Sequence, residues 1–208
     1  MATDAYFHET IAGGTGQPLL FLFHGTGGDE HQLLQFGREL LPEAGLISPR
    51  GDVSEFGSAR FFRRTGEGVY DMHDLARATG KMAGFVRAHA GENQSSAVFG
   101  LGYSNGANIL ASVLFAEPAL FDAVVLMHPL IPFEPDIAGD LSRRRVLITA
   151  GRNDPICPPA LTSQLEAHLR AAGADVTLVW HEGGHEIRPA ETEAARRFVG
   201  AAAKAERT

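Results

Sequence analysis

"VFGLGYSNGAN", residues 98–108, is the stretch on which the reading of the fold turns. An apolar run ends at Gly102, and Tyr103, Ser104, Asn105 and Gly106 follow it. A serine with a glycine two places to either side has two readings. One is a glycine-rich turn. The other is a strand that reverses tightly into a helix, with the serine in a strained conformation and the glycines removing Cβ atoms that would collide. In that case the hydroxyl of Ser104 stands exposed. The N–H of Asn105, at the start of the helix, then faces any negative charge that develops there.

The rest of the chain bears on the choice. Its 208 residues, 44% hydrophobic and 21% charged, are enough for a sizeable core, and they show no Pro/Ser linker, charge block, low-complexity run or internal repeat. A single domain over 1–208 is expected. The net charge of −7 is spread along the chain, whereas nucleic-acid binding needs clustered Lys and Arg. The clusters Arg63-Arg64 and Arg143-Arg144-Arg145 read as solvated edges. Cys157 is the one cysteine, so neither an intrachain disulfide nor a Cys/His zinc spacing can be written. No apolar run has the length to cross a bilayer, and the N-terminus lacks a basic segment followed by an apolar stretch. A cytoplasmic protein with no membrane insertion and no nucleic-acid partner is the expectation.

Continuous apolar runs of strand length recur at 19–23, 45–48, 97–101, 123–127, 146–149 and 176–180, the pattern of strands covered on both faces. Segments rich in Ala, Leu, Arg and Glu lie between them, at 31–41, 70–89, 105–115, 159–171 and 189–204. The alternation predicts an α/β fold: a mostly parallel central sheet with helices on both faces and no large lid. Residues 51–68 break the rhythm and are expected to form a long loop.

In such a sheet functional groups gather beyond the carboxyl ends of the strands. Ser104 follows one strand, Asp154 follows the run 146–149, and His185 follows 176–180, in the chain order Ser…Asp…His that a nucleophile elbow requires. Asp122 precedes its strand, and Asp136 and Asp140 lie in a loop leading into the next one, which leaves Asp154 as the acid. His181 is the rival base. It lies at the strand end, while His185 is on a glycine-flanked loop able to reach inward. The roles follow from the types: Ser104 as nucleophile, His185 as base and acid, Asp154 as the group that orients the imidazole. "FHGTGGDE", residues 23–30, brings a second backbone donor beside the elbow. The N–H groups of Thr26 and Asn105 are therefore the expected oxyanion hole.

"FLFHGTGGDEHQLL", "ISPRG", "GLGYSNGAN", "AGRNDPICP" and "EGGHEI" resemble, in content and order, the phospholipase/carboxylesterase family of α/β-hydrolases. The resemblance covers residues 18–199. It implies a serine esterase or thioesterase, with Ser104, Asp154 and His185 at the triad positions and Thr26 and Asn105 at the oxyanion donors. It also implies a homodimer and a bracing role for His24. The elbow reads Gly-Tyr-Ser-Asn-Gly where the related eukaryotic thioesterases carry Gly-Phe-Ser-Gln-Gly, which is closer to the bacterial carboxylesterase branch.

Other residues have plainer readings. Asp29 and Glu30 suit a helix start, and Cys157 between prolines suits loop packing. Phe56, Phe61 and Phe62 either cap the core or line a substrate pocket. The leading expectation is cleavage of small carboxylic esters through an acyl-enzyme, with no cofactor and no metal. An acyl thioesterase or lysophospholipase is the alternative within the class, and a noncatalytic ligand-binding protein on a hydrolase fold is the alternative outside it.

Overall fold

In the computed structural model of the protein, which describes residues 2–93 and 95–205, seven strands form one sheet. They are β1 (His8–Ile11), β2 (Leu19–Phe23), β3 (Gly45–Pro49), and, beyond four short strands described below, β8 (Val98–Tyr103), β9 (Ala123–Met127), β10 (Arg145–Gly151) and β11 (Asp175–His181). Their order is β1-β3-β2-β8-β9-β10-β11. All neighbours are parallel except β1 on β3. The six expected strands are all present, and the mostly parallel sheet is as anticipated.

Side chains alternate across the sheet, so each strand feeds two cores. Phe21, Phe23 and Leu126 pack on one face with α2 (Met72–Asn93), α3 (Asn105–Ala116) and α4 (Pro159–Ala171). Leu20, Leu22 and Val125 pack on the other, against α1 (Leu34–Leu40) and α5 (Pro189–Ala205). This double coverage is why β2, β3 and β9 are buried at every position and read as unbroken apolar runs. In α3 every residue from Asn105 to Phe115 is buried.

Residues 51–68 are not the structureless loop that their lack of periodicity suggested. They contain β4 (Val53–Glu55) paired with β5 (Ser58–Arg60), and β6 (Arg64–Gly66), which pairs with β7 (Val69–Tyr70). Strands of two or three residues are too short to show a period. The edge strand β1 was also invisible, because its four residues, His-Glu-Thr-Ile, are antiparallel and none is fully buried. Met1, Gln94 and residues 206–208, which the expected domain also spans, lie outside the described residues. Among the described residues no helix is long and apolar enough to cross a membrane.

The glycines of the opening stretch are explained by close approach. A Cβ on Gly106 would stand 2.0 Å from the carbonyl oxygen of Phe23, and one on Gly102 would stand 2.4 Å from that of Gly106. Helix α3 starts directly against the end of β2, and only bare backbone fits between them. Gly84, inside α2, meets nothing within 4 Å. Gly106→Ala is therefore expected to lower stability by about 3 kcal/mol or more, since backbone must move. Gly84→Ala should raise it by roughly 0.5–1 kcal/mol through helix propensity. Urea denaturation of the two variants checks both signs.

Candidate active site

Ser104 joins β8 to α3 with φ 53° and ψ −116°. Positive φ in a residue with a Cβ costs on the order of 1–3 kcal/mol and persists only where the surroundings over-determine it. Here the Ser104 N–H donates to the Met127 carbonyl at 2.9 Å, and the Ser104 carbonyl accepts the Asn108 N–H at 3.0 Å. The Asn105 side chain accepts the N–H of Phe61 at 2.8 Å. The turn is tied to β9, to its own helix and to the segment after β5.

His185 brings its Nε2 to 2.8 Å from Ser104 Oγ and its Nδ1 to 2.7 Å from Asp154 Oδ2. Sequence separations of 81 and 31 residues are closed by the sheet, whose strands β8, β10 and β11 all end on this side. The other Asp154 oxygen accepts the N–H groups of Ile156 and Cys157 at 2.8 and 3.0 Å. Burial opposes the Asp154 carboxylate, but these N–H groups and the rings of His185 and His128 outweigh it and hold its pKa below the ordinary value. The rival acids are elsewhere. Asp122 accepts the N–H of Val98 at the far end of β8, and Asp140 accepts that of Ser142 in an exposed turn. The rival base His181 is buried and turned toward Gly183 and Glu191.

Thr26 and Asn105 lie together on the wall of a cavity that also reaches Ser104 and His185. Asn105 opens α3, where first-turn N–H groups have no intrahelical acceptor. The Thr26 loop is held by several bonds: Gly25 N–H to Gln32 Oε1 at 2.8 Å, Gly27 N–H to the Ala59 carbonyl at 3.0 Å, and Arg60 Nη1 to Thr26 Oγ1 at 2.6 Å. His24 braces it from behind, donating from Nδ1 to the Gly25 carbonyl at 2.7 Å and accepting the Gly51 N–H on Nε2 at 2.9 Å. That pairing makes the ring neutral, in keeping with burial pushing its pKa down.

The cavity measures about 280 Å³. Its walls include Tyr70, Asn108, Leu130, Ile156 and Cys157, together with Arg60, Arg64 and Glu67 from the two hairpins. The phenylalanines expected there are not among them. Phe61 and Phe62 are 0% exposed and belong to the core, with Phe61 edge-on to Phe23 and Phe62 to Tyr70. Phe56 stands fully in solvent at the tip of the β4–β5 hairpin. An apolar pair next to a glycine-rich segment states that burial is required, not which cavity it fills. The segment supplies the cavity through its charged residues instead.

Behind Asp154 the structure holds a cluster that sequence reasoning passed over. His128, fully buried and at φ 51°, directs Nδ1 to Asp154 Oδ2 at 2.9 Å and Nε2 to Glu191 Oε1 at 3.0 Å. Glu191 also accepts from Thr149 Oγ1 at 2.6 Å and from the Arg188 N–H at 2.7 Å, and its Oε2 lies 3.1 Å from His181 Nε2. Burial opposes both charges. Even so, the carboxylates raise the pKa of His128, and His128 with the Thr149 hydroxyl lowers that of Glu191. A signal for His128 was present, since it follows β9 directly and so sits at a strand's carboxyl end.

The ligand-type atoms of His128, His181 and Glu191, and of His128, Asp154 and His185, lie within 4.8 Å of one another. Their close pairs stand 2.7–3.1 Å apart, whereas two tetrahedral zinc ligands at about 2.05 Å would be separated by about 3.3 Å. These are the spacings of hydrogen bonds and close ion pairs. Asp29, Glu30 and His31 form a further such group, with Glu30 already paired to Arg50.

Comparison with known proteins identifies the family and the fold. Residues 69–206 match the dienelactone hydrolase family. MhqD of Bacillus subtilis (strain 168), whose description as a hydrolase is itself provisional, is 40% identical over 187 residues, spanning 89% of this chain and 94% of that protein. Among solved structures, Atu2452 of Agrobacterium tumefaciens str. C58, of unknown function, is 62% identical over 97% of this chain and 98% of its own, with a TM-score of 0.93. A Bacillus cereus carboxylesterase is 38% identical over 95% of this chain and 94% of its own, with a TM-score of 0.90.

Cys157 lines the cavity, yet it is 1% exposed, and its thiol donates to the His128 carbonyl at 3.2 Å. Burial, with Asp154 beside it, pushes the thiol well above its ordinary pKa. Iodoacetamide at neutral pH is expected to modify Cys157 quickly in denaturant and hardly at all in the native protein. Mass spectrometry of the two samples checks this.

Proposed function

The chain belongs to the dienelactone hydrolase family, and from that premise we propose that it cleaves small carboxylic esters through an acyl-enzyme formed on Ser104. The observation that carries the reading is the continuous hydrogen-bonded chain Ser104–His185–Asp154, mounted on a positive-φ elbow at the carboxyl edge of the sheet.

The geometry supports the following steps. Ser104 Oγ attacks the ester carbonyl as its proton passes to His185 Nε2, 2.8 Å away. The negative charge arriving on the carbonyl oxygen is met by the N–H groups of Asn105 and Thr26. His185 Nδ1–H, held on Asp154, keeps the ring in the tautomer that can accept at Nε2, and Asp154 stabilises the imidazolium that results. The proton on Nε2 then goes to the departing alkoxide, which leaves as the alcohol, and Ser104 carries the acyl group. Water, deprotonated by the same nitrogen, attacks the acyl carbonyl. The acid departs and the proton returns to Ser104 Oγ.

Ser104→Ala should abolish p-nitrophenyl acetate hydrolysis and labelling by a fluorophosphonate while leaving the fold intact. Asp154→Asn keeps the size but sets an amide where both histidines need an acceptor. Its kcat should fall by about 10²-fold or more with little change in KM. Asp136→Asn and Asp140→Asn should stay near the parent. Steady-state kinetics on the four variants decide the assignment. Near-parental turnover by folded Ser104→Ala would remove it.

The small cavity favours short acyl groups, because about 280 Å³ is at the lower bound of ligand pockets. The ratio kcat/KM across a series of p-nitrophenyl esters should peak at short chains and decline by octanoate. A peak at long chains would move the substrate to the lysophospholipase class.

A further inference from the structure

His128 is fully buried with a carboxylate oxygen against each of its ring nitrogens. Nδ1 faces Asp154 Oδ2 at 2.9 Å and Nε2 faces Glu191 Oε1 at 3.0 Å. The Nδ1 contact is a hydrogen bond, whereas the Nε2 contact is an ion-pair distance without hydrogen-bond alignment; a buried ring with a carboxylate oxygen against each nitrogen is stabilised as the imidazolium. The two neighbouring histidines are different. His181 accepts the Gly183 N–H on Nδ1 at 2.9 Å, which leaves its one hydrogen on Nε2, toward Glu191. His185 has its hydrogen on Nδ1, toward Asp154, and offers a bare Nε2 to Ser104.

The charged and titratable groups facing the His128 ring come from every element around it: Asp154 after β10, Glu191 on α5, His181 at the end of β11, His185 beyond it, Tyr103 at the end of β8, and Cys157 against the His128 carbonyl. At rest the cluster therefore holds two carboxylates and one imidazolium. When His185 takes the proton of Ser104, the sum becomes two and two, and the buried charge is balanced at the moment the reaction needs it.

We propose that His128 is a positioning residue for this site, an imidazolium clamped between Asp154 and Glu191 that fixes Asp154 against His185 and, by its charge, sets the pH at which His185 becomes free to act. The proposal rests on the reading of Ser104, His185 and Asp154 given above. His128 touches no reacting atom; it acts through Asp154, whose Oδ2 it shares with His185. The two rings are 5.0 Å apart between centroids. A unit charge at such a distance, in an effective dielectric of about 20, is equivalent to about two pH units.

The sign of the test follows from the charge count. His128→Asn can keep an N–H on Asp154 but carries no charge, so the resting cluster goes from one net negative charge to two. The added negative charge favours protonated His185, and the acid limb of kcat/KM against pH should move upward by about one to two units. His128→Asn/Glu191→Gln removes the second carboxylate as well, and its limb should return toward the parent's. A role in packing alone would lower kcat in both variants and leave the limb in place, and that result would overturn the proposal. A second measurement needs neither activity nor a variant. Proton–nitrogen NMR of the unmodified protein should show His128 with both ring nitrogens protonated throughout the neutral range. A single protonated nitrogen at pH 7 would also overturn the proposal. Turnover by Ser104→Ala would remove the hydrolase reading and leave the NMR result standing, so the two failures are distinguishable.

Discussion

The approach of helix α3 to the end of strand β2 is the constraint on which the site depends. Where Gly106 meets the Phe23 carbonyl there is no room for a side chain, and Gly102 is held as tightly against Gly106. Because the chain must turn there in so little space, Ser104 takes a backbone conformation it would not choose, and its hydroxyl is lifted over the sheet edge. The same contact puts the first N–H of α3 beside the Thr26 loop at the end of β2. One steric requirement thus brings together Ser104 and the Asn105 N–H, the nucleophile and one of the two carbonyl-oxygen donors of the proposed reaction.

Much of this was legible in the residues, for reasons that differ by element. Strands covered on both faces must be apolar throughout, so β2, β3, β8, β9 and β10 announced themselves, while β11, at the sheet edge and only partly buried, was marked by its β-branched and aromatic residues Val176, Val179 and Trp180. The strand-end rule then brought Ser104, Asp154 and His185 to one side, where the structure hydrogen-bonds them. What was not legible has two causes. Elements of two to four residues, β1 and the hairpins of residues 53–70, carry no period. And a side chain's type does not say which of two dry environments it enters. Phe61 and Phe62 went to the core, while Arg64, read with Arg63 as a solvated edge, became a cavity wall together with Arg60. His128 was available to the rule that found Asp154, since it directly follows β9.

The buried cluster behind Asp154 also ties the site to the pH range in which the protein is well formed. Asp154 and Glu191, with pKa values depressed in the fold, contribute stability that is present above their unfolded values of about 3.9 and 4.3 and is lost as pH falls through the folded ones. His128, with its value raised, contributes stability that is full below about 6.5 and is lost as pH rises through its folded value. The two effects bound a window in which all three charges coexist, and the contacts among them belong to that window.

The two hairpins between β3 and α2 carry a different consequence. Ser104, Asp154 and His185 come from the ends of sheet strands, whereas Arg60, Arg64, Glu67 and Tyr70 come from ribbons whose tips, at Phe56-Gly57 and Glu67-Gly68, turn in or near solvent. Ribbons of this kind accept insertions and exchanges that a buried parallel strand does not. The proposed chemistry and the walls that would select its substrate therefore sit on separate parts of the fold: the ribbons can be lengthened, shortened or recharged without moving the sheet edge.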